Sequence, residues 1–411
     1  MTVKAALLDL GGTLLQADGG PVEGATDMIS ELRQAGIKVA VASFDPGDTE
    51  YRMARAGIQV DLVLDRTTNK RPKGTKEWVA NACAALGIGR NEIVYLGDSD
   101  RDMREAVNSR VVYFNAGWSE PNYQYGVNVT TPARFSLITR ECFAKSEEWF
   151  VSERLTDAAG RPARVHAMTD SRGGQDANFA DALRSFLKNR TDRALGSFQL
   201  SEAVTLHLLG SIFGTGLVEG ADLWTVYPGS KGRTNQSLAP FAAMAARLFR
   251  QATFSRTSSE VPELYLDDLL IRHTPAPDSG ERRYRGERAT FGDQINTVCL
   301  NERHRDRLVD KRIVVIDDFE TEGFSLECAR NLLLQAGAAD VALVAIGKYP
   351  IKHLGWKRWL FVPVEGYMWD PFAPVQHDEA SFEGSLADLR TNPRAPVTFR
   401  ESCERMATFP S

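Results

Sequence analysis

Cysteine is scarce and scattered. The five in 411 residues (Cys83, Cys142, Cys299, Cys328, Cys403) form no C-x-x-C pair. An odd, dispersed set excludes a disulfide framework or a zinc cluster and reads as the reduced thiols of a cytoplasmic protein. The six histidines have no ligand spacing. Long hydrophobic runs are missing too. The longest, Ala203–Val218, is broken by His207 and three glycines and falls short of the ~20 residues that a spanning helix needs. Residues 1–12 enter a strand-like run at once, without the regions of a signal peptide. No membrane partner is expected. Nor is there an excess of positive charge: a net charge of −5 and a pI near 5.8 argue against a nucleic-acid partner. No internal repeat and no long low-complexity tract occurs.

What is there is globular: 43% hydrophobic and 25% charged residues. At a prior of about 150 residues per domain, the length implies two or three domains. Over the first part, strands at Val3–Leu10, Lys38–Phe44, Glu92–Leu96 and Val111–Asn115 alternate with helices at Val22–Gly36, Lys76–Gly87 and Asp100–Ser109. That alternation predicts a parallel sheet covered on both faces. A second series follows: helices at Ala177–Asn189 and Ser201–Gly214, a strand at Ala221–Tyr227, a helix at Ala239–Arg250, a strand at Arg312–Ile316, a helix at Ser325–Ala336 and a strand at Val341–Ile346. The expected organisation is a domain over 1–140, a linker over 141–164, a second domain over 165–375 and a partly irregular tail over 376–411.

Carboxylates, hydroxyls and lysines stand where strands end, the place where open α/β sheets bind ligands. Asp9 closes Leu7-Leu8-Asp9-Leu10-Gly11-Gly12-Thr13-Leu14. Ser43 closes a second strand. Lys70 and Lys73 precede a helix, and Gly97-Asp98-Ser99-Asp100-Arg101-Asp102 follows a third strand. A carboxylate nucleophile, a hydroxyl, a lysine and further carboxylates for a magnesium ion are the parts of carboxylate-based phosphoryl chemistry. Residues 1–120 here resemble the haloacid dehalogenase (HAD) superfamily. The resemblance implies Asp9 as nucleophile, Ser43 and Lys73 (or Lys70) on the phosphoryl oxygens, and Mg2+ held by Asp9, the Gly11 carbonyl and Asp98, with Asp102 in the same motif. The gaps from Asp9 to Ser43 and from Ser43 to Lys73 hold no cap domain. Family phosphatases usually carry a general-acid Asp two residues after the nucleophile; Gly11 stands there.

The second constellation is Arg312-Ile313-Val314-Val315-Ile316 running into Asp317-Asp318-Phe319-Glu320-Thr321-Glu322-Gly323-Phe324-Ser325. Paired acids suit a ribose diol, and a small loop opening a helix suits an anion. This resembles the phosphoribosyl pyrophosphate (PRPP) motif of type I phosphoribosyltransferases, with Glu322 in place of a Thr. The resemblance implies PRPP contacts at Asp317, Asp318, Thr321, Gly323 and Ser325, with Gly229, Ser230, Lys231 and Arg233 on the loop after Leu223–Tyr227. Arg285, in the basic stretch Arg282–Arg288, would cover pyrophosphate; that stretch also reads as plain surface or, less readily, as a nucleic-acid contact. The order of pieces, through Asn296, is similar to the ComF branch, except that R-x-N-Q is one residue short.

Together these features predict two Rossmann-like α/β domains: an uncapped HAD-like parallel sheet and a phosphoribosyltransferase-like parallel sheet with a helical extension. The expected activity couples PRPP-dependent phosphoribosyl transfer to Mg2+-dependent phosphoester hydrolysis through an aspartyl-phosphate. The expected partners are small molecules: PRPP, a nucleobase-like acceptor and a phosphoester. Self-association into a homo-oligomer is left open. Two alternatives stand beside this: a transferase on a degenerate HAD scaffold, or a sensor of PRPP or nucleotide.

Overall fold

The computed structural model describes residues 3–45, 47–119, 126–145, 149–157, 160–189, 191–217, 220–232, 235–248, 264–276, 290–350, 358–361, 369–374 and 385–410. The chain divides into two compact units. The first comprises Met1–Glu147, Ala203–Glu219 and Arg247–Pro262, and the second Glu148–Glu202, Gly220–Ala246 and Glu263–Ser411.

The first unit is built on β1 (Ala5–Asp9), β2 (Lys38–Ala42), β3 (Leu62–Leu64), β4 (Ile93–Gly97), β5 (Tyr113–Ala116) and β6 (Val127–Val129). They form one parallel sheet in the order β3-β2-β1-β4-β5-β6. The run Ala5-Ala6-Leu7-Leu8 is fully buried, as a strand covered on both faces must be, which is why it is continuously apolar rather than alternating. Helices α1 (Ala25–Gln34), α2 (Thr49–Arg55), α3 (Glu77–Leu86), α4 (Asp100–Ser109) and α5 (Pro132–Ile138) complete it. The order reverses between β1 and β4, so the crevice at their carboxyl ends is the topological switch point. Between β1 and β2 lies α1 alone, and between β2 and Lys73 only α2 and β3, so no cap domain interrupts the described site-forming loops.

The second unit carries β7 (Val151–Thr156), β8 (Pro162–Asp170), α6 (Ala177–Asn189), the hairpin β9 (Ala194–Leu195) and β10 (Phe198–Gln199), and the first residues of α7 (Leu200–Gly214). Then come β11 (Leu223–Val226), α8 (Ala239–Leu248), β12 (Leu270–Arg272), β13 (Val298–Leu300), β14 (Arg312–Glu320), α9 (Phe324–Gln335), β15 (Asp340–Lys348), β16 (Arg358–Phe361), β17 (Ser385–Asp388) and α10 (Arg394–Ala407). The main sheet runs β11-β14-β15-β8-β7. Its first four strands are parallel and β7 is an antiparallel edge. No described helix is long and apolar enough to cross a membrane.

Three boundaries differ from the sequence reading. The expected linker, 141–164, contains β7 and the start of β8. Its alternating buried and solvated side chains belong to a strand with one wet face, which reads as polar in sequence. The expected tail contains α10, whose Phe399, Cys403 and Met406 are buried; Pro393 and Pro396 disguised its start, where proline is tolerated. From Ala203 onward, α7 groups with the first unit, where the Asn91 side chain donates to the Gly214 carbonyl at 3.2 Å. Its His207 is buried, and burial lowers its pKa to about 3, so it is a neutral packing residue.

A buried ion cluster ties the second unit together. The Arg330 guanidinium donates to Glu327 at 2.7 Å and to Asp157 at 3.4 Å, all three side chains being fully buried. Arg330→Met strands the Glu327 carboxylate in the interior and leaves Asp157 to Arg161 alone, at 3.1 Å. We expect a loss of about 3–5 kcal/mol, measured as a shift in the urea unfolding curve of the whole protein; a change below about 1 kcal/mol would contradict this account.

Candidate phosphoryl-transfer site in the first unit

The carboxyl ends of β1, β2 and β4 converge. Asp9 is the last residue of β1 and pairs in register with Ala42, so Ser43 follows one step beyond on the neighbouring strand. Beyond β4 come Asp98 and Ser99, and Ser99 caps α4 in a reciprocal capping box with Asp102. Carboxylate oxygens of Asp9, Asp98 and Asp102 lie within 4.8 Å of one another.

Two glycines make this convergence sterically possible. A Cβ on Gly97 would stand 2.5 Å from the Asp102 Cβ. A Cβ on Gly12 would stand 1.9 Å from Asp98 Oδ2, and Gly12 has a left-handed φ of +74°. Gly11, by contrast, is not in the left-handed region, and a Cβ there would meet only Asp45 Oδ2 at 3.1 Å. Backbone strain therefore does not forbid a side chain at position 11.

Lys73 answers the acids. Its ammonium donates to Asp9 and, at 2.8 Å, to Asp102, and it is buried. Lys70 is exposed, so of the two candidate lysines only Lys73 reaches the acids. Asp102 is saturated by the protein: Oδ1 also accepts from the Tyr95 hydroxyl at 2.7 Å, and Oδ2 accepts from Ser99. Asp98 accepts from the Ser119 hydroxyl at 2.7 Å. The Ser43 hydroxyl is buried with no partner among the described residues, as is that of Thr13. A buried hydroxyl without a partner costs free energy, and a bound oxyanion would supply the acceptor Ser43 lacks.

Burial, then the Asp102 charge, pushes the Asp9 carboxyl up to about 8 against the opposing pull of Lys73. Burial raises Asp98 also. Lys73 is pushed down by burial but held up more strongly by Asp102 and Asp9, so its net shift is upward and it stays charged. An all-oxygen carboxylate set whose members are destabilised by burial and mutual repulsion fits Mg2+, a hard cation that takes oxygen ligands. Asp9 and Asp98 have the freer oxygens for it.

The second unit places Asp317 and Asp318 within β14 itself, since the strand continues to Glu320. Lys188 Nζ donates to Asp318 at 2.6 Å and the Asn235 amide at 3.2 Å. Lys348 donates to Glu320 at 3.0 Å and to the Thr321 carbonyl at 2.7 Å. Burial, then the Asp318 charge, raises Asp317 to about 8. Gly323, with a left-handed φ of +95°, opens α9 against the Trp359 ring, and Ser325 is half-buried on that first turn. Gly229 is half-buried, while Ser230 and Lys231 are exposed. Arg233 and Arg285 lie outside the described residues. Lys188 and Lys348 escaped the sequence reading because nothing local marks them; like Asn235 of the R-x-N-Q run, they reach the acids from other elements.

The Asp9 shift has a signed consequence. The unfolded carboxyl titrates near 3.8 and the folded one near 8, so between those values the folded chain holds the extra proton. Stability of the metal-free protein should therefore fall as pH rises through that window. Asp9→Asn should flatten this slope in thermal unfolding scans run in a chelator, and Mg2+ should flatten it in the wild type. Parallel slopes for wild type and variant would refute the burial argument.

Residues 15–109 match the family described as haloacid dehalogenase-like hydrolase. No curated protein matches the chain. Among solved structures, the chain is similar to a candidate phosphoglycolate phosphatase of Lactobacillus delbrueckii: 27% identity, 28% of this chain and 52% of that one, TM-score 0.27. The chain thus spans about half the length of that relative. It is also similar to the deoxy-D-mannose-octulosonate 8-phosphate phosphatase of Haemophilus influenzae in its cobalt-bound form, at 20% identity over 34% of this chain and 87% of that one, TM-score 0.28. A third is the D,D-heptose 1,7-bisphosphate phosphatase of B. bronchiseptica complexed with magnesium and phosphate, at 17% identity over 32% and 96%, TM-score 0.28. The family match falls within the six-stranded unit: the stretch 15–109, which includes Ser43, Lys73 and Asp98, is similar to haloacid dehalogenase-like hydrolases, and Asp9 stands just before it.

Proposed function

We propose that the first unit is a Mg2+-dependent phosphohydrolase that works through an aspartyl-phosphate on Asp9. The observation that carries this is the meeting of Asp9, Asp98 and Asp102 with Lys73 at the switch point of the sheet. The Asp9 carboxylate attacks phosphorus, forming an Oδ–P bond as the bond to the leaving oxygen breaks. Lys73, held by Asp102, turns from Asp9 to the phosphoryl oxygens, and the Ser43 hydroxyl donates to another. Water then cleaves the acyl phosphate and returns the Asp9 carboxylate. Asp9, Asp98 and the Gly11 carbonyl would hold Mg2+, which neutralises charge on the transferring phosphoryl group.

Gly11 offers no proton to the leaving oxygen. Leaving groups that are already weak bases should therefore be favoured. We expect kcat/KM for an aryl phosphate to exceed that for an alkyl phosphate by about 10²–10⁴, the usual contribution of a general acid, and Gly11→Asp to narrow the gap. Asp9→Asn should abolish both activities. Equal values in the wild type would locate the donor elsewhere, with Asp45 first to be tested because its Oδ2 stands where a side chain on Gly11 would reach. No turnover of either ester would favour a scaffold role.

For the second unit we infer a phosphoribosyl-binding site whose substrate is PRPP, with a nucleobase-like acceptor. It is supported by the acid pair on a central parallel strand, the Lys188 and Asn235 contacts to Asp318, and a helix opening at Gly323. With both activities on one chain, one unit would make a ribosyl phosphate and the other remove phosphate from it or from a related compound. Asp317→Ala with Asp318→Ala should remove PRPP-dependent thermal stabilisation while the protein stays folded; unchanged PRPP affinity by calorimetry would exclude this site.

A further inference from the structure

Glu105 lies one turn beyond Asp102 on α4, fully buried and with no role in the chemistry above. Its carboxylate binds the backbone instead. Oε2 accepts from the N–H groups of Gly74 at 2.8 Å, Thr75 at 2.8 Å and Lys76 at 2.9 Å. Oε1 accepts from Trp78 at 2.8 Å and Val79 at 3.2 Å. Those donors are the loop after Lys73 and the first turn of α3, whose N–H groups have no helical partners of their own. A further turn along α4, the Asn108 amide donates to the Gly74 carbonyl at 2.8 Å. Gly74 is thus gripped through both its N–H and its C=O, in a left-handed conformation with φ +107°.

We infer that Glu105 is a positioning residue for Lys73, and that α4, which supplies Asp102, also sets the ammonium that Asp102 answers. Asp102, Glu105 and Asn108 recur at three-residue spacing, so they lie along one stripe of the helix facing the lysine loop. Lys73 is long and flexible, and its ammonium meets Asp9 only if its Cα is held. A carboxylate accepting five N–H bonds holds the next residues as a charge-assisted clamp. The inference rests on the reading of Asp9 and Lys73 as reacting groups only for its effect on rate; its effect on Lys73 placement stands apart.

Glu105→Gln keeps the shape but replaces one acceptor oxygen with an NH2 that faces N–H donors. The test pairs kinetics with amine labelling by acetic anhydride, mapped by peptide mass. Lys73 should be protected in the wild type and labelled in Glu105→Gln, with kcat on an aryl phosphate down by about 10–100-fold, the cost of ångström-scale misplacement, and KM changed by less than about threefold. Buried Cys142 of the first unit, read in parallel by thiol labelling, reports unfolding of that unit. If it too becomes labelled, Asn108→Ala, which removes one bond of the clamp, decides by the same readouts. Lys73 still protected, with kcat within about threefold of wild type, would overturn the inference. Lys73 labelled with unchanged turnover would uphold the placement and overturn the phosphohydrolase reading instead.

Discussion

The paired contact of the Lys73 ammonium with Asp9 and Asp102 is the constraint on which the first unit turns. Three carboxylates drawn within 4.8 Å at the end of a buried sheet repel one another and have lost water. One buried cation offsets part of that cost, and a divalent metal would offset more. Much of the surrounding architecture reads as a means of making the contact sterically and electrostatically tolerable. Gly97 lets the start of α4 close over the strand end, and Gly12 lets Asp98 come in beside the β1 loop. Tyr95 and Ser99 occupy the remaining acceptor sites of Asp102, so that this carboxylate is a fixed support for Lys73.

A single helix, α4, does several of these jobs. Its capping-box acid is also the lysine partner, because the N3 position of a helix that begins at a strand end points back over that strand. The favourable field of the helix N-terminus acts on the same carboxylate. The burial that raises Asp9 follows from the same packing: a carboxylate at the end of a sheet covered on both faces cannot keep its hydration shell.

The second unit solves a similar electrostatic problem differently. Asp317 and Asp318 are adjacent on β14 and point to opposite faces of the sheet, as successive strand residues must. Lys188 from α6 and Asn235 from the segment before α8 reach Asp318, whereas Lys348 of β15 pairs with Glu320 two residues on. Burial and the adjacent Asp318 charge hold Asp317 up at about 8 against the opposing pull of Lys188.

The sequence by itself determined the first fold and most of its site. Continuous apolar runs separated by amphipathic stretches specify buried parallel strands and covering helices, and strand-end residues such as Asp9, Ser43 and Asp98 then converge by topology alone. It also located the acid pair of the second unit. It did not reveal β7, α10 or the grouping of α7, because a strand with one wet face, a proline-led helix and an all-round apolar helix are told apart only by what they pack against. The sequence already favoured Lys73 over Lys70 by its nearness to the following helix; tertiary structure alone brought its ammonium to the acids, cleared Gly11 of strain and assigned it to Gly12, and gave Glu105 its five backbone partners. Each of these depends on distances between residues far apart in the chain, and local patterns carry no record of such distances.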